Sequence, residues 1–316
     1  MEFFSHQTSF RFMATRHVWY GLSAVLIVAS IVLLFTRGLN LAIDFTGGVS
    51  AQASFPTAAD LGAVRHELAV AGFRDAQVQL VGSARSVAIR LPPQAQLGTQ
   101  EKMQDVVRAR LTQALKAASP GATLQQLSVV GPQVGSQLEK SAAWALGGTL
   151  LLIFLYIAFR FHTWRLSLGA ILAVMHDPIL VLGWFAASHT SFDLAVVAAV
   201  LAVIGYSLND TVVVFDRIRE RFESNRRLPP ELVLDQSINQ TLSRTIMTKV
   251  VTSIVVVALL VLGGPVLKGF SEALLIGILA GTYSSIYISS AIALECGLTA
   301  EHIFPTVKKT AIDHLP

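Results

Sequence analysis

The sequence predicts an α-helical polytopic membrane protein, with six transmembrane helices and one extracytoplasmic α+β domain (residues 37–140) between the first two. Three observations predict it. Hydrophobic residues make up 53% of the chain and charged residues 14%, too little charge to cover a soluble protein of this size. Mean hydropathy is +0.59. The charges are also unevenly spread. Val18–Phe35, Ser141–Phe159, Val250–Leu267 and Ala273–Leu294 contain no Asp, Glu, Lys or Arg, and each is long enough to cross about 30 Å of hydrocarbon as a helix.

In chain order, residues 1–36 hold the N-terminus and the first span. Arg11 and Arg16 precede that span as they would a signal peptide, but the apolar run is long and no small-residue cleavage site follows, so it reads as a retained anchor. Residues 37–140 alternate between strand and helix patterns. Val49–Phe55 is strand-like, and Ala58–Ala71 puts Leu61, Val64, Leu68 and Ala71 on one helical face. Ala76–Val81 and Arg85–Leu91 alternate as strands around a Gly82-Ser83-Ala84 turn. Gln100–Ala118 is a second amphipathic helix, and Leu124–Val130 is the last strand. The order β-α-β-β-α-β predicts a ferredoxin-like domain. Residues 141–294 carry spans two to six, including the tracts 166–187 and 194–215, each interrupted by one acid, Asp177 and Asp210. A basic loop at 216–245 and a tail at 295–316 complete the chain.

Lys and Arg in short loops set the orientation. Arg160 and Arg165, the arginines between 217 and 227, and Lys308 and Lys309 in the tail all fall on the side of the N-terminus. That side is expected to be the cytoplasm, with 37–140 on the far side. The pI of about 9.4 follows from this asymmetry, and no nucleic acid is expected as a partner. The lone Cys296 reads as an inert thiol. No Walker-type loop, metal-ligand cluster or candidate nucleophile is legible, so neither an enzyme activity nor a cofactor is expected.

An ionisable group inside a membrane is costly and needs a partner or a water path. Tyr206, Ser207, Asp210 and Arg217 share one face of span four. Arg244, near the cytoplasmic end of span five, is placed to reach Asp210 by snorkelling. A carboxylate poised between an Arg and an apolar wall changes protonation when their separation changes; the bland alternative is a static pair that fixes helix register. Asn209 and Thr248 are candidates to hydrogen-bond around Asp210, or ordinary packing contacts. His176 and Asp177, mid-span, are candidates for a proton relay, or for a bond to a neighbouring helix. Asp44, Gly47 and Gly48 are expected to shape a hinge between span one and the domain. In span six, Ala273, Gly277, Gly281, Ser285, Ser289 and Ala293 recur every fourth residue, a stripe for close helix packing.

Four segments in order carry a family resemblance. Gly38-Leu39-Asn40-Leu41-Ala42-Ile43-Asp44-Phe45-Thr46-Gly47-Gly48 resembles the signature of the SecF subunit of the bacterial SecDF protein-export complex, with Ala42 where Gly is usual. Ile204–Glu220, Gln240–Thr248 and Gly263–Phe270 are similar to SecF in the same order. The resemblance implies an RND-superfamily fold in the bacterial cytoplasmic membrane, partnership with SecD and the SecYEG translocon, an unfolded preprotein as substrate, and export assisted by the proton motive force. The competing classes are an RND-type small-molecule exporter, which would need larger extracytoplasmic loops and twelve spans, and a passive scaffold, which leaves Asp210 unexplained.

Overall fold

The computed structural model describes residues 8–93, 100–161 and 163–304; Lys308 and Lys309 lie outside them. Among the described residues, six helices are long and apolar enough to cross a membrane. A 3-10 turn at Met13–Thr15 leads into α1 (Arg16–Thr36), and the short helix α2 (Ile43–Thr46) opens the domain. The domain consists of β1 (Gly48–Ser54), α3 (Leu61–Val70), β2 (Gln77–Val81), β3 (Ser83–Leu91), α4 (Gln100–Ala118) and β4 (Thr123–Val130). The element order is that read from the pattern, and the boundaries fall within three residues of it. Asp60 caps α3 by accepting from the Gly62 and Ala63 amides, and Gly82, at φ 75°, makes the β2–β3 turn tighter than its three-residue reading.

All strand pairs are antiparallel, and the sheet order is β2-β3-β1-β4. Alternation along β1 sends Val49, Ala51 and Ala53 into a core with Val87, Ile89 and Leu91 of β3, Val64 and Leu68 of α3, and Leu111 and Leu115 of α4. The other face is polar. Ser50, Gln52, Gln79, Arg90, Gln126 and Ser128 look across a cleft of about 580 Å³ toward the 189–193 loop.

The second span, α5 (Pro132–Phe161), begins far earlier than its apolar tract, so 132–140, assigned to the domain in the sequence, is helix continuous with the span. The remaining spans are α6 (Trp164–Ser188), α7 (Leu194–Ser224), α8 (Pro230–Leu262) and a composite sixth: α9 (Gly264–Tyr283), a π-helical turn (Ser284–Ile288) and α10 (Ser289–Glu295). α11 (Ala300–Ile303) follows. Two sequence boundaries need correction. The fifth helix ends at Leu262, where Gly263 and Gly264 (φ 70°) reverse the chain into α9, with Pro265 in its first turn; an apolar tract does not register a reversal made by glycines. Most of the expected 216–245 loop is helix, with only 225–229 between α7 and α8.

α6, α7 and the sixth span form the buried centre, while α1, α5 and α8 expose most of their apolar surface. The period-four stripe of the sixth span is buried throughout. Close approach depends on it and on glycines opposite: a Cβ on Gly277 would overlap Val203, and one on Gly169 would overlap the Ser289 carbonyl oxygen. We predict that Gly169→Ala forces α6 away from α10 and destabilises the protein by about 1–3 kcal/mol. A thermal melt followed with a thiol-reactive dye on Cys296, the single cysteine, measures this as a lower midpoint. An unchanged midpoint would mean that the helices are not closely packed there.

Candidate functional site

α7 turns Ser207, Asp210 and Thr211 inward, and α8 turns Thr241, Thr245 and Lys249 toward it, all buried. These residues recur at three- and four-residue intervals, so each set forms one helical face. Lys249 Nζ lies 2.7 Å from Asp210 Oδ2, with side-chain exposures of 5% and 7%. The contact is an ion pair bent away from hydrogen-bond alignment, since neither atom has a partner of good hydrogen-bond geometry. The same ammonium stands 4.3 Å from the centroid of the Tyr206 ring, in cation–π range. Tyr206 is itself held to α8, donating to the Thr248 carbonyl at 3.0 Å and sharing a 2.6 Å bond with the Thr252 hydroxyl.

The partner expected for Asp210 is therefore corrected: Lys249 holds the position given to Arg244. Arg244 is exposed and makes no ion pair with Asp210 among the described residues. Five residues separate it from Lys249, and at 100° per residue that turns its side chain well off the buried face. Asn209 is exposed and takes no part in the pair. Thr248 is exposed as well, its hydroxyl bonding the Arg244 and Thr245 carbonyls of its own helix; its contribution is the carbonyl that Tyr206 uses. Arg217 is bound into the helix-end cluster by Gln240 and Glu220.

Ser207 also goes elsewhere. Its hydroxyl donates to Asp177 Oδ2 at 2.5 Å, and Ser284 donates to the same oxygen at 3.0 Å. Asp177 Oδ1 lies 2.9 Å from His176 Nδ1, and His176 Nε2 lies 2.5 Å from the Tyr283 hydroxyl. The tract reading thus found both buried acids but placed Ser207 with the wrong one.

At the sheet end, Asp44, Gly47 and Gly48 sit where the domain meets the bundle. Asp44 accepts from the Leu194 amide at 3.1 Å, beside Asp193, which caps α7 through the Val196 amide. Burial pushes the Asp193 carboxyl above the usual range, against the pull of that amide. Gly47 and Gly48 have φ 70° and 121°, and a Cβ on Gly48 would overlap the Leu91 carbonyl oxygen. Gly135 of α5 packs directly on Phe45 and Gly47. Asn40 and Ala42 exchange backbone bonds with Phe192, and Arg37 and Asn40 bond the Ala187 and His189 carbonyls. Arg90 of β3 binds Asn40 Oδ1 and Ser191 Oγ, and burial pulls its guanidinium below the usual range. The expected hinge is a many-point clamp onto the loop that joins α6 to α7.

Fold and site together define an integral membrane protein that holds ionisable groups in the middle of its helical bundle. Residues 110–299 match the model of the protein-export membrane protein SecD/SecF C-terminal family, and residues 32–55 match the SecD/SecF GG motif. The protein translocase subunit SecF of Pseudomonas aeruginosa is 44% identical, covering 96% of this chain and 97% of its own. That of Escherichia coli O157:H7 is 39% identical over 92% and 89%. The crystal structure of SecDF, a translocon-associated membrane protein from Thermus thermophilus, matches with a TM-score of 0.80 at 36% identity over 92% of this chain. The chain spans 39% of that SecDF. The chain belongs to the SecF family of protein translocase subunits and is a multi-pass inner-membrane protein.

The buried pair makes a stability prediction. Asp210→Asn or Lys249→Met alone leaves one charge uncompensated and should cost about 3–5 kcal/mol, whereas the double variant should recover most of the loss. Melting midpoints of the three proteins in detergent measure this. Additive losses would show that the two groups do not stabilise each other.

Proposed function

We propose that this chain is the SecF subunit of a Sec translocase, acting with SecD beside the SecYEG channel to help move unfolded preproteins, and driven by proton flow through its bundle. The observation that carries this reading is the Asp210–Lys249 pair, 2.7 Å apart and almost wholly buried. As carboxylate and ammonium it is neutral. A proton on Asp210 leaves the ammonium without its counter-charge in an apolar interior, which is unfavourable by several kcal/mol. Tyr206 offers a weaker resting place, so α7 and α8 must separate or readjust when the proton arrives. In this reading Arg244 supplies only a more distant positive field at the cytoplasmic mouth of α8.

The orientation follows from the basic loops, with both termini cytoplasmic and the sheet domain outside. α6 and α7 carry the buried acids; the loop between them is bonded to Asn40 and Arg90, and the start of α7 to Asp44. A tilt of these helices therefore reaches the domain with little slack. One charge crossing 100 mV releases about 2.3 kcal/mol, enough to bias a two-state element about fifty-fold.

Two tests follow. The Asp210→Asn, Lys249→Met double variant is expected to be stable and inserted but unable to titrate. Proton-driven export into vesicles carrying it should fall to the level of vesicles without the chain; wild-type export would sink proton coupling at Asp210. Separately, cysteines placed at 90 and 191, with Cys296 replaced, can be joined by a reducible cross-linker. Export should survive joining, because the clamp carries the domain as one body with the ends of α6 and α7. Arrest on joining, reversed by reduction, would show that the domain must move against the loop and would overturn the rigid link.

A further inference from the structure

Outside the Asp210–Lys249 pair, the bundle buries a second group of ionisable side chains. His176 and Asp177 are 3% and 0% exposed. They sit near the middle of α6, about 19 Å from one end and 17 Å from the other at about 1.5 Å per residue. Four further side chains close on them: Ser23 of α1, Ser207 of α7, Tyr283 of α9 and Ser284 of the π turn. We propose that this cluster is a second proton-binding site, holding one exchangeable proton whose presence sets the direction of the hydrogen bonds between α6, α9 and α1.

The donors and acceptors can be counted. Ser207 and Ser284 both donate to Asp177 Oδ2; taken as a carboxylate, Asp177 is an acceptor only, and the hydrogen between it and His176 then sits on Nδ1. With a neutral imidazole, Nε2 accepts from the Tyr283 hydroxyl, and the Tyr283 oxygen, 3.1 Å from Ser23 Oγ, accepts from Ser23. The cluster then carries one negative charge. Adding one proton makes an imidazolium, whose Nε2–H must donate to the Tyr283 oxygen. Tyr283 in turn must donate to Ser23. The proton ends on Nε2, the cluster becomes neutral, and the two bonds reverse. Neither state leaves a donor facing a donor, so both are compatible with burial, which is what an exchangeable site requires.

The charged and titratable surroundings are few. From α9 the facing group is Tyr283 itself; from α7 it is Asp210, one turn beyond Ser207 and already paired with Lys249 of α8. α1 presents Ser23 and the Trp19 ring stacked on Tyr283, while its Arg16 and Arg37 stand at its ends. α5 carries Lys140 and Arg160 outside its apolar tract. The helices are also weakest where the cluster lies. Pro178 follows Asp177 and cannot donate to the Val174 carbonyl, and Tyr283 enters the π turn, a form frequent at functional sites. Gly281 leaves room for the carboxylate, since a Cβ there would come to 3.2 Å from Asp177 Oδ2.

Proton binding here does not depend on Asp210, but any part in export rests on the coupling proposed above. The test is nitrogen-15 histidine NMR of the full chain in nanodiscs between about pH 5 and pH 8, the range in which a histidine ordinarily changes charge. His176 is assigned by its absence in His176→Gln or, if that variant does not fold, by its displacement in Tyr283→Phe. We expect His176 to pass between neutral and imidazolium forms in the wild type and equally in the Asp210→Asn, Lys249→Met double variant. A His176 fixed in one form across the range overturns the proton site. Tyr283→Phe keeps the ring and removes the hydroxyl, and should lower proton-driven export severalfold; export equal to wild type overturns the link between this site and transport.

Discussion

Burial of charge in the centre of an apolar bundle is the constraint on which the rest of the structure depends. An unpaired carboxylate there is strongly unfavourable, so each one dictates what the neighbouring helices must bring. Asp210 requires a cation from α8, which fixes the rotation of that helix and thereby places Tyr206 against Thr248 and Thr252. Asp177 requires donors on both oxygens, which draws in Ser207, Ser284 and His176. The small residues follow from the same demand. Short serine hydroxyls reach a carboxylate only if the helices are close, and Gly169, Gly277 and Gly281 permit that closeness.

The domain junction answers to a different constraint. Backbone groups at a helix end need partners, and here the partners come from the other body of the molecule. Asp44 serves the start of α7, and Asn40 and Arg37 serve carbonyls at the end of α6 and just after it. The two left-handed glycines let the chain turn from this junction straight into β1 without a linker. Satisfying the helix ends in this way makes the domain an extension of α6 and α7.

Apolar tracts, strand alternation and turn residues were enough to read six spans and the domain's element order, because each reflects burial along a single element. Both buried acids were legible for the same reason, since a lone carboxylate in an apolar tract stands out. Partner identity was not. Lys249 borders the chargeless run from Val250 and so read as its edge, and Arg244 was favoured on depth alone. The signal that finds Lys249 is phase: Thr241, Thr245 and Lys249 recur every four residues, a polar face that a helix buries only against another polar face. The same oversight sent Ser207 to Asp210, although a side chain one turn from an acid on the same helix often serves a neighbour instead. Helix ends were misread wherever charge was taken for loop, as in α5, α7 and α8, whose polar turns lie beyond the apolar tracts.

The two buried centres differ in a way that bears on how they could work together. The Asp210–Lys249 pair is neutral without an added proton and is disturbed by gaining one. The His176–Asp177 cluster gains neutrality with one. Ser207 and Asp210 are three residues apart on α7, about 4.5 Å of rise, so whatever moves one moves the other. A shift of α7 that lengthens the Asp210–Lys249 contact also changes the donation from Ser207 to Asp177. Because the start of α7 is bonded to Asp44, the same shift is carried on to the domain.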